Sequence, residues 1–182
     1  RAYLLSNHQW DQAHRILTEL AADLETLPAG PETKRLRGHL EAAWCYLYEL
    51  QGDVEQTIHH ASQADELLPP DELEIRSMSL TLWGDILSKN GFDPKAMPIL
   101  QRALNLALQA EKPYAAVMAT VALAMAHLGA GHLSAAHQVC QQALSLAADY
   151  QQRTGQELAA AAMNYAVLAR IYTEWNQPTE AV

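Results

Sequence analysis

Cysteine, phenylalanine and long apolar runs are scarce in this sequence. Its 182 residues include one phenylalanine and two cysteines, Cys45 and Cys140, which lie far apart without the short spacing of metal ligands. Two such cysteines make no disulfide framework, so we expect them to fill the core of a protein kept in the reducing cytoplasm. No apolar run approaches the roughly 18 residues of a membrane span, and the first residues do not resemble a signal peptide. We therefore expect no membrane contact.

Positive charge is also scarce. The chain has 12 lysines and arginines against 21 aspartates and glutamates, which gives a formal net charge of −9. Proteins that bind nucleic acid neutralise its phosphates with clustered basic side chains, and the sequence contains no such cluster. We therefore expect this segment to make no direct contact with nucleic acid.

Alanine, leucine, glutamate and glutamine are abundant, and these residues favour helix. Prolines and glycines fall at roughly even intervals, around Pro28, Pro69 and Pro113, as residues that end helices do. Pro98 is an exception, because it lies inside an expected helix and should remove a hydrogen bond or delay the helix. The pattern predicts an all-α chain with one helix ending near Ser6 and further helices over about 9–27, 33–50, 53–68, 71–89, 93–111, 114–129, 132–150, 156–175 and from 178 onward.

A glycine, a small residue and an alanine recur with a period near forty. Gly52, Gly91 and Gly131 lie 39 and 40 residues apart. In each copy the small residue follows the glycine by five positions, and the alanine follows seven positions later. The small residues are Thr57, Ala96 and Ala136, with partial copies at Ala13 and Ala181, and the alanines are Ala64, Ala103 and Ala143.

These recurring residues have a physical reason in a pair of antiparallel helices. A small residue lets one helix backbone approach the other where they cross, and a glycine closes the first helix in a left-handed turn. Trp44, Trp83 and Leu123 recur upstream of the glycines and are expected to fill the wedge between helices. A single pair cannot bury its apolar face alone, so successive pairs stack into a solenoid.

The repeat resembles the tetratricopeptide repeat, or TPR, whose usual unit is about 34 residues long. Units of roughly forty that are rich in Ala, Leu, Gln and His, such as "LRGHLEAAWCYLYELQGDVEQTIHHASQADELLP", are similar to the sensor segment of MalT-like, ATP-dependent transcription activators of the LuxR class. That resemblance implies an ATPase module before the repeats, a helix-turn-helix domain after them, and repeats that bind an inducer or regulatory proteins.

The fold that we predict is a single domain over residues 1–182. It is a right-handed α-solenoid of about five TPR-like helix pairs with repeats of about forty residues, the outer two pairs being incomplete. The chain begins at Arg1 rather than at methionine and stops at "QPTEAV" within the repeat pattern, so we expect it to be a piece of a longer protein.

Helical register defines the inner face of the predicted solenoid. The positions eighteen and eleven residues before each small residue are seven apart, so they share one face of the first helix of a pair. They hold four of the five methionines and form a largely uncharged groove suited to a sugar, a peptide or another helix. The alternative is that these methionines fill gaps between helices, since apolar residues at helical spacing are usually core. The predicted groove residues are His39, Tyr46, Met78, Asp85, Met118, Met125, Met163 and Arg170.

The sequence shows no residue pattern typical of a catalytic or metal site. The Gly-Ala-Gly at 129–131 begins like a dinucleotide-binding loop, but Ser134 stands at the third glycine position and the preceding segment favours helix over strand. His127, His132 and His137 lie five residues apart, a spacing that places no two of them on one helical face. We therefore expect no metal, no cofactor and no enzyme activity.

The function that we expect is a non-catalytic sensor segment whose groove binds an inducer, a peptide or a protein. The alternative is a TPR scaffold or peptide-receptor module with no link to transcription, and the sequences that flank this segment would distinguish the two. The outermost helices are also expected to expose apolar faces, through which the segment would self-associate.

Overall fold

The computed structural model describes residues 7–91 and 94–176, and within these ranges the chain consists of helices and turns without a strand. The predicted helices ending near Ser6 and beginning at 178 lie outside the described residues. The described α-helices are α1 (Asn7–Glu25), α2 (Pro31–Gln51), α3 (Val54–Leu67), α4 (Leu73–Lys89), α5 (Ala96–Gln109), α6 (Pro113–Gly129), α7 (Leu133–Thr154) and α8 (Ala162–Glu174).

The helices stack as pairs, α2 with α3, α4 with α5 and α6 with α7. Helices α2, α4, α6 and α8 contact one another in that order and form the inner layer. The outer helix α3 also contacts α4, and α5 also contacts α6, so each outer helix is wedged between two inner ones. This arrangement is the all-α, TPR-like solenoid that the repeat predicts.

The joints within the pairs are built as the glycine and small-residue pattern predicts. Gly52 and Gly131 both have a φ of 77° and Gly91 has a φ of 123°, a region that glycine enters without strain. At the first joint, Asp53 N donates to Tyr48 O at 3.0 Å, which satisfies a carbonyl at the helix end. The small residues Thr57, Ala96 and Ala136 that follow are all buried at the crossings.

Leucines and alanines fill the core between the pairs. Leu80, Leu100, Leu104 and Leu123 are almost entirely shielded from solvent, while the predicted wedge residue Trp83 is half-buried at the edge of this cluster. At the α4–α5 crossing, Gly84 leaves room for the side chain of Leu100. Small residues in the core therefore make room for the large side chains that pack between the helices.

Both cysteines lie in the core as free thiols. Burial raises the pKa of Cys45 to about 12, with a further contribution from the negative charge of Glu49. Burial likewise raises the pKa of Cys140 to about 11. Neutral, buried thiols fit the expectation that these cysteines serve as small core residues.

The helix bounds differ most from prediction at three places. Helix α5 begins at Ala96, so Pro98 lies in the first turn, where no intrahelical bond is lost. Helix α7 continues to Thr154 rather than to 150, because no residue breaks it before Gly155, whose φ is 71°. A single 3-10 turn over Ala159–Ala161 follows, and α8 therefore begins at Ala162 rather than at 156.

The ends of the described solenoid leave apolar side chains in solvent. Ile16 and Leu20 on α1 are exposed, and so is Leu27 in the turn that follows this helix. Self-association through such faces stays a prediction. None of the described helices is both long enough and apolar enough to cross a lipid bilayer.

Candidate binding groove

The predicted groove residues lie two to each inner helix, and none of the eight is buried. Tyr46, Met78, Met163 and Arg170 are exposed, and the other four are half-buried. The structure therefore places these side chains on an open face rather than inside the core. That they bind a ligand stays a prediction. The pairs are His39 and Tyr46 on α2, Met78 and Asp85 on α4, Met118 and Met125 on α6, and Met163 and Arg170 on α8.

Five of the eight line one cavity of about 380 Å³, which we call the methionine cavity. Its floor is apolar because Met118, Met125 and Met163 converge there with valine and leucine side chains. Ala122 and Ala166 leave the space open, since a methyl group occupies less than the branched residues that fill the core. The lining residues are Glu49, Thr81, Leu82, Asp85, Lys89, Met118, Val121, Ala122, Met125, Met163, Ala166, Val167 and Arg170.

Charged groups lie at the edges of the methionine cavity. Asp85 Oδ2 pairs with Lys89 Nζ one turn further along α4, so that carboxylate has its counter-ion. Arg170 Nη1 lies 3.6 Å from Met125 Sδ, a weak acceptor. The hydroxyl of Thr81 already donates to Ser77 O at 2.9 Å. The cavity is therefore an apolar surface with a cation on its α8 side.

The other three predicted residues line a smaller cavity of about 220 Å³, which we call the tyrosine cavity. It lies between α2 and α4, where His39, Tyr46 and Met78 surround small alanine side chains. Leu82 lines both cavities, so the two adjoin along the inner helices. We call this surface the binding groove.

The carboxylate of Glu72 is hydrogen-bonded at the end of the groove where His39 lies. Arg35 Nε donates to Glu72 Oε1 at 2.6 Å, and His39 Nε2 lies 3.2 Å from the same oxygen. The hydrogen bond from Arg35 lowers the pKa of Glu72 most, and His39 lowers it further. Glu72 therefore links α2 to the start of α4 and holds the His39 ring at the groove. The sequence did not predict this contact, because the partners of Glu72 are more than thirty residues away and no pattern joins them.

The histidines outside the groove contact rings and carboxylates. His60 Nδ1 lies 2.6 Å from Glu41 Oε2, and its ring stacks on Tyr48 with centroids 5.2 Å apart. Burial lowers the pKa of His127, which favours its neutral form. Within residues 7–91 and 94–176, no group of three His, Cys, Asp or Glu side chains is placed to hold a metal ion.

A larger cavity of about 460 Å³ opens outside the groove, where the α5–α6 turn meets α7. Exposed charged side chains of Glu111, Lys112, Asp149 and Arg153 contribute to its wall, and Lys112 already pairs with Glu74 at 2.8 Å. Sequence reasoning missed it because part of the wall belongs to the unexpected last turn of α7. The groove is the stronger candidate site, since ligand sites are mostly apolar with few polar groups.

Antiparallel helix pairs that close at a glycine, cross at a small residue and leave an open inner face define a tetratricopeptide-repeat solenoid. Residues 38–182 match the family model described as the MalT-like TPR region, and the chain belongs to that family. A search of curated proteins finds no significant match.

Proposed function

We propose that this chain is the non-catalytic sensor segment of a cytoplasmic, MalT-like, ATP-dependent transcription regulator of the LuxR class, and that its binding groove recognises an inducer or a regulatory protein. The observation that carries the proposal is the convergence of all eight register-defined residues on two adjoining cavities. Membership of the MalT-like TPR family supports a regulatory sensor or protein-binding role.

The chemistry of the groove supports recognition rather than catalysis. Flexible methionine side chains adapt to partners of different shape, and three of them meet in one cavity. The acidic group of Asp85 is paired with Lys89. The groove therefore supplies a binding surface with fixed charges at its edges.

A thermal-shift screen of sugars, nucleotides, organic acids and peptides tests the binding role. Ligands that bind the folded state raise its melting temperature, and the rise grows with the logarithm of ligand concentration over Kd. We expect at least one compound to stabilise the wild-type chain but not the Met118→Gln, Met125→Gln double variant. Met97→Gln is the matched control, because Met97 packs against the core from the outer helix α5 and lines neither cavity.

The outcomes separate the groove from other surfaces. A compound that stabilises the double variant as much as the wild type would place binding elsewhere. The regulatory role is tested by the sequence that flanks this segment in its gene. A phosphate-binding loop upstream and a helix-turn-helix downstream support it, whereas their absence would favour a scaffold or peptide receptor without a link to transcription.

A further inference from the structure

We propose that the methionine cavity takes a small apolar carboxylate, whose acid group pairs with Arg170 and whose hydrocarbon body lies over Met118, Met125 and Met163. The inference rests on the proposed function of the groove as a ligand site and names the chemistry of the ligand. Four observations carry it: the ion pairing of Arg170, the distribution of charge around the cavity, the apolar lining and the cavity volume.

Arg170 is an exposed cation without an anionic partner among residues 7–91 and 94–176. Its guanidinium contacts the Met125 thioether, and no carboxylate in the described part of the chain pairs with it. A guanidinium presents several donors in a planar fork that matches a carboxylate. Five other arginines on the described helices each pair with an aspartate or glutamate, namely Arg15, Arg35, Arg37, Arg76 and Arg102, while Arg153 lies on α7 outside the groove.

The charges around the cavity are separated along the solenoid. The two carboxylates in the lining, Glu49 and Asp85, belong to α2 and α4, and neither of these helices contacts α8. Lys89 neutralises Asp85. An anionic group on a ligand is therefore attracted to the α8 side, where Arg170 stands, and its hydrocarbon extends toward α6.

The uncharged part of the lining disfavours a heavily hydroxylated ligand. None of the described residues that line the methionine cavity is aromatic, and the Thr81 hydroxyl already donates to Ser77 O. A sugar buried there would leave several hydroxyl groups unpaired, and each unpaired group costs free energy. A hydrocarbon chain has no such groups. The volume of about 380 Å³ lies at the small end of the range for ligand sites, which suits a small molecule.

Octanoate is the probe, and the methionine methyl groups report its position. The 182-residue chain is labelled with ¹³C at the methionine methyls and titrated with octanoate, 1-octanol or octyltrimethylammonium. We expect octanoate to shift the signals of Met118, Met125 and Met163 and to leave that of Met97 in place. We also expect octanoate to bind more tightly than octyltrimethylammonium, which has the opposite charge.

Arg170→Gln tests the carboxylate contact. We expect it to weaken octanoate binding about tenfold, as the loss of a charged hydrogen bond does, and to leave 1-octanol binding unchanged. Arg153→Gln is the matched control, because Arg153 is exposed, has no carboxylate partner in the described part of the chain and lies on α7 outside the groove. It should leave the octanoate affinity unchanged.

The outcomes also distinguish this inference from the proposed function. If octanoate and 1-octanol both shift the three methionines but Arg170→Gln changes neither affinity, the carboxylate contact is overturned and the groove remains a binding site. Tighter binding of octyltrimethylammonium would show that Glu49 and Asp85 dominate the cavity and would also overturn it. If none of the probes shifts these methionines, the groove itself fails as the site for such ligands.

Discussion

Gly84 lies so close to Leu100 that a Cβ atom at residue 84 would come within 2.4 Å of Leu100 Cγ. Carbon atoms that are not bonded pack at about 3.5–4.0 Å, so glycine is required here by contact rather than by backbone angle. Leu100 is fully buried in the cluster that joins α4, α5 and α6 and has little room to move. The α4–α5 crossing therefore depends on this pair.

Gly84→Ala should lower the free energy of unfolding by about 1–3 kcal/mol through overpacking, against a gain of about 0.5–1 kcal/mol from helix propensity. Urea denaturation measures the net loss. In a Leu100→Ala background the overlapping atoms are gone, so the cost of Gly84→Ala should shrink or reverse. An equal cost in both backgrounds would show that the strain lies elsewhere.

Ala136→Leu should cost about 1–3 kcal/mol, because this residue is fully buried where α6 and α7 cross. Ala96→Leu should behave similarly at the α4–α5 crossing. Ala148→Leu is a control on the same helix as Ala136, since Ala148 is exposed and should tolerate the larger side chain. Unchanged urea midpoints for both buried substitutions would contradict the assignment of the crossings.

The helix pairs were predictable because their signals are local. A glycine and a small residue five positions later set each joint without reference to distant parts of the chain, and Gly52 and Gly131 adopt the predicted left-handed angle. The inner face was predictable for a similar reason, since residues seven apart share a helical face whatever the helix packs against.

Features that depend on the distance between helices were not predictable. The cavity next to Ala122 and Ala166 depends on the distance between α6 and α8. The spacing of residues in the sequence repeat does not determine that distance. The bond from Arg35 to Glu72 joins residues 37 apart. The last turn of α7 was missed because Gly155, and not a residue near 150, ends the helix.

The bond from Arg35 to Glu72 should make stability depend on pH. Because this bond lowers the pKa of Glu72 in the folded state, Glu72 stabilises the fold above its unfolded pKa of about 4.3. That contribution is lost as the pH falls through the lower folded-state pKa. Glu72→Gln should therefore destabilise the protein at pH 7, and the difference from wild type should vanish in acid.

Urea denaturation between pH 7 and pH 3 measures this difference. Glu66→Gln is the control for the loss of one carboxylate, since Glu66 is exposed on α3. Arg35→Gln should raise the pKa of Glu72 toward its ordinary value, which carboxyl NMR titration reports directly. An unshifted Glu72 pKa in that variant would mean that Arg35 does not hold the carboxylate in solution.

The Met118→Gln, Met125→Gln double variant should separate a groove from a core. Both methionines are half-buried and line an open cavity, so a glutamine side chain can reach water at either position. We expect the loss in free energy of unfolding to stay well below the roughly 2–5 kcal/mol that truncation of a core leucine to alanine costs.

Leu123→Ala provides that reference on the same helix, because Leu123 is almost fully buried. If the double variant loses as much stability in urea as Leu123→Ala, the two methionines belong to the core. If it instead keeps its stability and loses ligand binding, the open inner face of α6 is the surface that recognises the ligand.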